Sequence, residues 1–294
     1  MKHVITGIAC VTDRKGQELI YLEESLRRAL KDGGIEIINK NRGNIGIFLA
    51  TTFSNFYIRK DTFDKLDKLG VRAVNPADFP RQLISYLGGY LSIKFGTKGA
   101  MSVLSSGQSS GLDALQQALF FLQRDKKNVA FVIDLDENWQ EKSSSAVKAG
   151  VCFICENTAS ESRRKIYAGV LRIENSFEKK NKNSGLCKCI KKTLEFCSSQ
   201  KVTPRYFYSS GTLNSRKYIL EKKALQHIYG NKKIKLFPAR NITNASLRAI
   251  YDTLKRRRFL RSRQESLPGS LFLNIGEDTN SVCVALRDFR AERK

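Results

Sequence analysis

Histidine is almost missing from this sequence: the 294 residues hold two, His3 and His227. Chemistry that needs an imidazole base is confined to those positions. His3 falls in an apolar, strand-like opening, and His227 sits mid-helix in KKALQHIYG, where a single histidine serves packing more often than catalysis. Long hydrophobic runs are missing too. The longest uncharged stretches contain Ser, Gly or Asn, which excludes a helix that crosses a bilayer. The opening MKHVITGIACVT has too short an apolar stretch for a secretion signal and is rich in β-branched residues. We read it as the first strand of a cytoplasmic protein. Negative charge is in deficit, with 28 Asp and Glu against 52 Lys and Arg. The resulting net charge of +24 attracts nucleic acid, an anionic membrane or an acidic protein. Its densest runs are EKKNKNSGLCKCIKK (178–192) and LKRRRFLRSR (254–263), with a shorter one at Arg163, Arg164 and Lys165. No RRM, KH, zinc-finger or helix-turn-helix signature accompanies them, so no specific nucleic acid is expected.

Disulfide regularity is also lacking. Seven cysteines, an odd number without even spacing, fit a reducing compartment. Cys152 and Cys155 spell C-x-x-C, the spacing of a metal or redox pair, but they lie in the strand-like run VCFIC. An offset of three on a strand sends the two thiols to opposite faces, so plain core thiols are the better reading and no metal is expected. Cys187, Cys189 and Cys197 share a Lys-rich stretch with no nearby histidine.

What is present is the composition of a globular protein, 41% apolar and 10% aromatic. Strand signals occur at Val4–Ile8, Ile45–Ala50, Ala100–Leu104, Val129–Leu135, Val151–Cys155, Tyr167–Ile173, Arg205–Tyr208, Ile234–Phe237, Leu271–Ile275 and Val282–Leu286. Helical patterns run over Leu19–Lys31, Pro80–Phe95, Gly111–Arg124, Cys187–Ser198, Lys217–Tyr229 and Leu247–Phe259. Strands alternating with helices predict an α/β protein with sheets covered on both faces. The polar stretch Asp136–Lys148 divides the chain nearly in half, giving 1–140 and 141–294. The sequence shows no repeat between the halves.

One stretch carries chemistry. In VLSSGQSSG (103–111) an apolar strand passes through a small-residue elbow into the helix LDALQQALFFL. Leu112, Leu115, Ala118, Leu119 and Leu122 recur at helical spacing, and with Phe120 and Phe121 the helix should be largely buried. Asp113 suits the positive end of its dipole. A side chain at position 108 would face the free N–H groups of the helix start, a setting that activates a thiol and stabilises an oxyanion. The residue there is Gln108, a neutral amide that only donates and accepts hydrogen bonds. Ser105, Ser106, Ser109 and Ser110 carry hydroxyls but need a base.

Residues 75–119 resemble the central block of β-ketoacyl synthases of the thiolase-like fold. The likeness rests on the NP…FP opening, the FG-x-KG turn and the SSGLDAL helix start. VITGIACVT resembles that family's opening strand and IYAGVLRIENS its strand after the midpoint. The resemblance implies a layered αβαβα fold with two pseudo-equivalent halves, 1–140 and 141–294, the second shortened. It implies that position 108 would be the acyl-carrying cysteine of an active enzyme. In YFYSSGTLNSRKYILEKKAL, Ser210 precedes Gly211-Thr212 where active members carry a histidine. LFPARNITNASLRAIYDTL lacks the family's later Gly-His, and IGEDTNS is a reduced form of its glycine-rich turn. With cysteine and both histidines absent together, the chain resembles the chain-length factor, the non-condensing partner in bacterial type II polyketide synthases that make antibiotics and pigments.

That likeness implies no intrinsic activity and no bound cofactor, the phosphopantetheine being carried by an acidic acyl carrier protein. It implies pairing with an active ketosynthase, as heterodimer or heterotetramer, through Met101, Ser102, Val103 and Leu104, with no membrane. Leu83, Tyr86, Leu87 and Tyr90, on the expected helix 80–95, together with Gln108, would wall the pocket and set chain length, against ordinary core packing as the alternative. Two rivals stand beside it: a glutamine-type malonyl decarboxylase and, less well supported, a basic nucleic-acid-binding protein.

Overall fold

The computed structural model describes residues 3–12, 18–51, 56–137, 147–157, 166–177, 182–200, 204, 206–213, 215–230, 236–239, 247–248, 250–252, 254–255, 270–275 and 280–287. The first part of the chain runs β1 (His3–Thr12), α1 (Glu18–Gly33), β2 (Ile45–Ala50), α2 (Phe56–Leu69), α3 (Ser85–Phe95), β3 (Met101–Leu104), α4 (Ser110–Arg124), β4 (Val129–Glu137) and β5 (Val147–Asn157). The rest runs β6 (Ala168–Phe177), α5 (Lys182–Ser199), β7 (Tyr206–Thr212), α6 (Arg216–Tyr229), β8 (Leu236–Ala239), helical residues within 247–255, β9 (Ser270–Ile275) and β10 (Asn280–Arg287).

The strands pair in the order β3-β2-β4-β5-β1-β6-β10-β9-β7-β8. Read outward from the middle, the two halves of that order are the same. β2 lies parallel to β3 and β4, and β5 is antiparallel to β4 and β1. Likewise β7 lies parallel to β8 and β9, and β10 is antiparallel to β9 and β6. Three residue pairs between β1 and β6 join the five-stranded units. A repeat invisible in the residues is therefore present in the pairing. The expected division at 140/141 lies outside the described residues.

Three apolar layers fix the stacking. Leu22, Leu26, Leu87 and Leu91 of α1 and α3 pack on one face of the first sheet, against Ile47, Ile133 and Ile154. Phe48, Val132 and Phe153 on its other face meet α4 (Leu112, Leu115, Leu122), the helical Leu247, Ile250 and Leu254, and Val282 and Val284 of β10. Beyond the second sheet, Cys283, Ala285 and Phe207 pack on α5 and α6 through Leu186, Ile190 and Leu225. The order is helix, sheet, helix, sheet, helix, the layered α/β arrangement expected. A strand covered on both sides, such as β2, reads as an unbroken apolar run in the sequence.

Cys152 and Cys155 fall on opposite faces of β5, in separate layers. Burial raises both thiols far above the ordinary cysteine range. Two expectations need correction. The helix drawn over 80–95 begins at Ser85, because Pro80 opens a short 3-10 turn over Pro80–Gln82. Phe120 does not complete the buried surface of α4: it is 50% exposed, while Phe121 turns in against Phe48 with 5.6 Å between ring centroids. α2, which the sequence reading did not include, carries Phe63 and Leu69 on its exposed side.

Candidate functional site

β3 ends at Leu104 and α4 starts at Ser110, so five residues turn the chain. Gly107 takes a φ of +72°, a conformation that side chains oppose, and Gly107–Ser109 form one 3-10 turn leading into the helix. Upstream, the FG-x-KG motif holds β3 against β2. A Cβ on Gly99 would come within 2.4 Å of the Ile45 carbonyl oxygen, so the two backbones meet there only because position 99 has no side chain.

The serines of the elbow close the turn. Ser110 Oγ donates to the Gly107 carbonyl at 2.6 Å and accepts from Ser106 N at 2.8 Å. Ser109 Oγ donates to the Ser106 carbonyl at 3.3 Å and to Asp113 Oδ2 at 3.4 Å. Ser106 Oγ donates to the same Asp113 oxygen. Burial pushes the Asp113 carboxyl above its ordinary value, and the hydrogen bonds from Ser106, Ser109 and Asn175 pull partly back. Asp113 was expected to serve the helix dipole, and its contacts add a second role as the hub that ties the elbow to its helix. Gln108 lies by its backbone in the 3-10 turn; its side chain lies outside the described residues.

Neither histidine stands near. His3 Nδ1 is 2.8 Å from Asn157 Oδ1, and Asn157 Nδ2 donates to Leu122 O and Asp125 O at the far end of α4. The 15 residues of α4 separate that end from the elbow, about 22 Å at 1.5 Å per residue. Burial lowers the pKa of His3, so the ring is kept neutral as a structural group. His227 is on α6, in the outer layer, with the second sheet between it and α4. The elbow has no imidazole base among the described residues.

The remaining expected positions divide. Tyr86 and Tyr90 lie side by side on α3, ring centroids 6.4 Å apart, and the Tyr90 hydroxyl donates to Glu23 of α1. Leu87 is fully buried in the outer layer of the first half, and Leu83 precedes the helix and is 52% exposed. The four therefore do not form one wall-like stripe. Met101, Ser102, Val103 and Leu104 form β3 itself, at the end of the strand order and paired on one side, to β2. Ser210 lies near the end of β7, and its side chain, like the segment 240–246 after β8, lies outside the described residues.

Sequence reasoning missed three buried carboxylates. Glu221 on α6 accepts from Ser209 Oγ, next to Ser210. Glu156 accepts from Thr6 Oγ1 at 2.6 Å. Asp134, in the second half of β4, accepts from the backbone N of Leu247 at 3.0 Å, a hydrogen bond between the two halves of the chain. Glu221 sits in LEKKAL, where a carboxylate among lysines looks solvated; only its spacing to Leu225 and Ala224 hinted at an inward face.

The strand pairing, the five layers and the strand-elbow-helix unit can now be set beside known proteins. Residues 15–158 match the family model described as beta-ketoacyl synthase, N-terminal domain. The whole chain superposes on solved ketosynthases, with a TM-score of 0.79 and 12% identity to a beta-ketoacyl synthase from Burkholderia phymatum, covering 98% of this chain and 100% of that one. The chain has the thiolase-like ketosynthase fold. This ketosynthase-like chain also superposes on the ishigamide ketosynthase/chain length factor, with a TM-score of 0.72 and 16% identity over 99% of this chain and 100% of that one. A third neighbour is a type II polyketide synthase acyl-carrier protein in complex with its ketosynthase bound to the hexaketide, with a TM-score of 0.78 and 12% identity over 98% and 99%. Among curated sequences, 3-oxoacyl-(acyl-carrier-protein) synthase 2 of Coxiella burnetii is 27% identical over 98 residues, 33% of this chain and 24% of that protein. The Vibrio cholerae protein of the same name is 26% identical over 91 residues, 31% and 22% of the two chains. These matches span about a quarter of the length of the curated relatives.

Proposed function

We propose that this ketosynthase-like chain is a non-condensing subunit of the chain-length-factor kind. It pairs with an active ketosynthase and helps shape the cavity in which that partner extends an acyl chain. One observation carries the reading. The elbow that presents a nucleophile in active members is intact as architecture, yet position 108 is glutamine and both histidines lie in other parts of the fold. The hydroxyls of Ser106, Ser109 and Ser110 are engaged in holding the turn. A scaffold without chemistry fits this arrangement better than a variant enzyme.

The pairing surface is supported by β3. It is an edge strand whose Met101 is 42% exposed, with Phe79, Leu83 and Ile84 exposed in the segment that leads into α3. An apolar edge of this kind invites another strand. The +24 charge suits an acidic carrier protein as the third component, which would bring the phosphopantetheine. Because Leu87 faces the core and Leu83 lies outside the helix, Tyr86 and Tyr90 are the better candidates for contact with the growing chain.

Co-expression with a candidate ketosynthase followed by size-exclusion chromatography tests the reading. A stable complex is expected, and it should fall apart when Met101→Asp places a charge on the edge strand. A monomer indifferent to every ketosynthase offered would sink the proposal. Release of acetyl groups from malonyl-loaded carrier by the isolated chain would favour the decarboxylase instead.

A further inference from the structure

The outer layer of the second half holds a feature that subunit pairing does not use. Between α5 and α6 lies a half-open groove of about 540 Å³. From α5, Ser184, Lys188 and Lys191 line it, at the i, i+4, i+7 spacing that aligns side chains on one helix face. From α6, Lys223 and His227 face them across the gap, again four residues apart. Cys187 and Ala224 form the floor, where Cys187 Sγ lies 3.8 Å from the Ala224 carbonyl. Among the described residues no acidic side chain lines the groove.

We propose that this groove binds a compact polyanion carrying two or more phosphate groups. The polar ends that line it are three ammonium groups, an imidazole and a hydroxyl, which together offer mainly donors. Lys191 and Lys223, on facing helices, repel one another across the groove, and a ligand with two or more anionic groups can pair with both. A concave site with apolar floor and walls of one sign focuses the field more than a flat basic face does. The Lys191 ammonium is close enough to the floor to draw the Cys187 thiol back down while burial pushes it up. The volume is that of a small-molecule site, roughly 300–1,000 Å³ in general.

The full chain titrated with inorganic tripolyphosphate by calorimetry, at physiological salt, tests this. One saturable site is expected, weakened about tenfold or more by the double variant Lys191→Gln/Lys223→Gln. The control double variant Lys60→Gln/Lys65→Gln, on the exposed and ion-paired face of α2, should bind as the parent does. A local readout runs in parallel: tripolyphosphate should slow alkylation of Cys187 by iodoacetamide, read by peptide mass spectrometry, and leave Cys10 at its own rate. Equal weakening in both double variants, or an unprotected Cys187, would overturn the site in favour of attraction by the overall charge. Displacement of tripolyphosphate by a lower concentration of polyglutamate would overturn it in favour of an acidic protein.

Discussion

Ser110 shows how much of the elbow depends on single atoms. Its hydroxyl accepts from one backbone group and donates to another across the turn. Ser110→Ala strands the Ser106 N–H in a half-buried place, and a loss of about 1–3 kcal/mol is expected in urea denaturation. Asp113 gives the site a pH signature. Its folded pKa is raised, chiefly by burial, so the folded state holds the proton more tightly than the unfolded chain does. Its contribution to stability is therefore present at low pH and is lost as pH rises through the raised value. Asp113→Asn should abolish that slope in melting curves taken across the mildly acidic range. Among the thiols, Cys10 and Cys187 are partly exposed, while burial raises Cys189 to about 12 and Cys197 to about 11. Alkylation at neutral pH should mark Cys10 and Cys187 first and reach the buried thiols only on unfolding. At this scale the sequence was partly legible. The glutamine at position 108 could be read directly, but the hydroxyl web around Asp113 depends on a turn whose closure no residue type announces.

Elements were more legible than their ends. β2 was visible because burial on both faces leaves no polar alternation to confuse with a helix, whereas β3, partly exposed, was marked by the elbow that follows it. α3 misled because Leu83, Tyr86, Leu87 and Tyr90 keep helical spacing through a proline turn that is not part of the helix. Pro80 suits a first helical position, yet here it starts a separate 3-10 turn and Leu83 is left extended. α2 was missed; its Phe63, Leu66 and Leu69 face outward instead of marking a core stripe. The FG-x-KG motif gains a physical reason from the contact of Gly99 with the Ile45 backbone. A methyl group there must push β2 and β3 apart, since the clash is with main chain and no side chain can swing away. Gly99→Ala is expected to destabilise by about 1–3 kcal/mol, as overpacking does. It should also weaken any complex formed through β3, which separates it from Ser110→Ala in a pull-down with the ketosynthase proposed as partner.

For the whole molecule, the two halves share a middle layer that belongs to neither alone. α4 packs on β4 and is tied to β6 by Asn175, which donates to Gln116 at 2.9 Å, and Asp134 from the first half accepts from the backbone N of Leu247 in the second. Asp134→Ala should cost about 1–3 kcal/mol by leaving the buried Leu247 N–H without its acceptor, measured by thermal or chemical unfolding. The doubling of the architecture was legible only through the family resemblance and not in any repeat of residues. Strand order is set by which faces meet, and a pair of sequences can diverge in every residue while keeping apolar character at the same alternating positions. A shared middle layer has a kinetic corollary. The inward side of α4, at Leu112, Leu115, Ala118 and Leu122, is buried while Gln117, Phe120 and Gln123 face solvent, so deuterium uptake should be slower at the inward positions than at the outward ones.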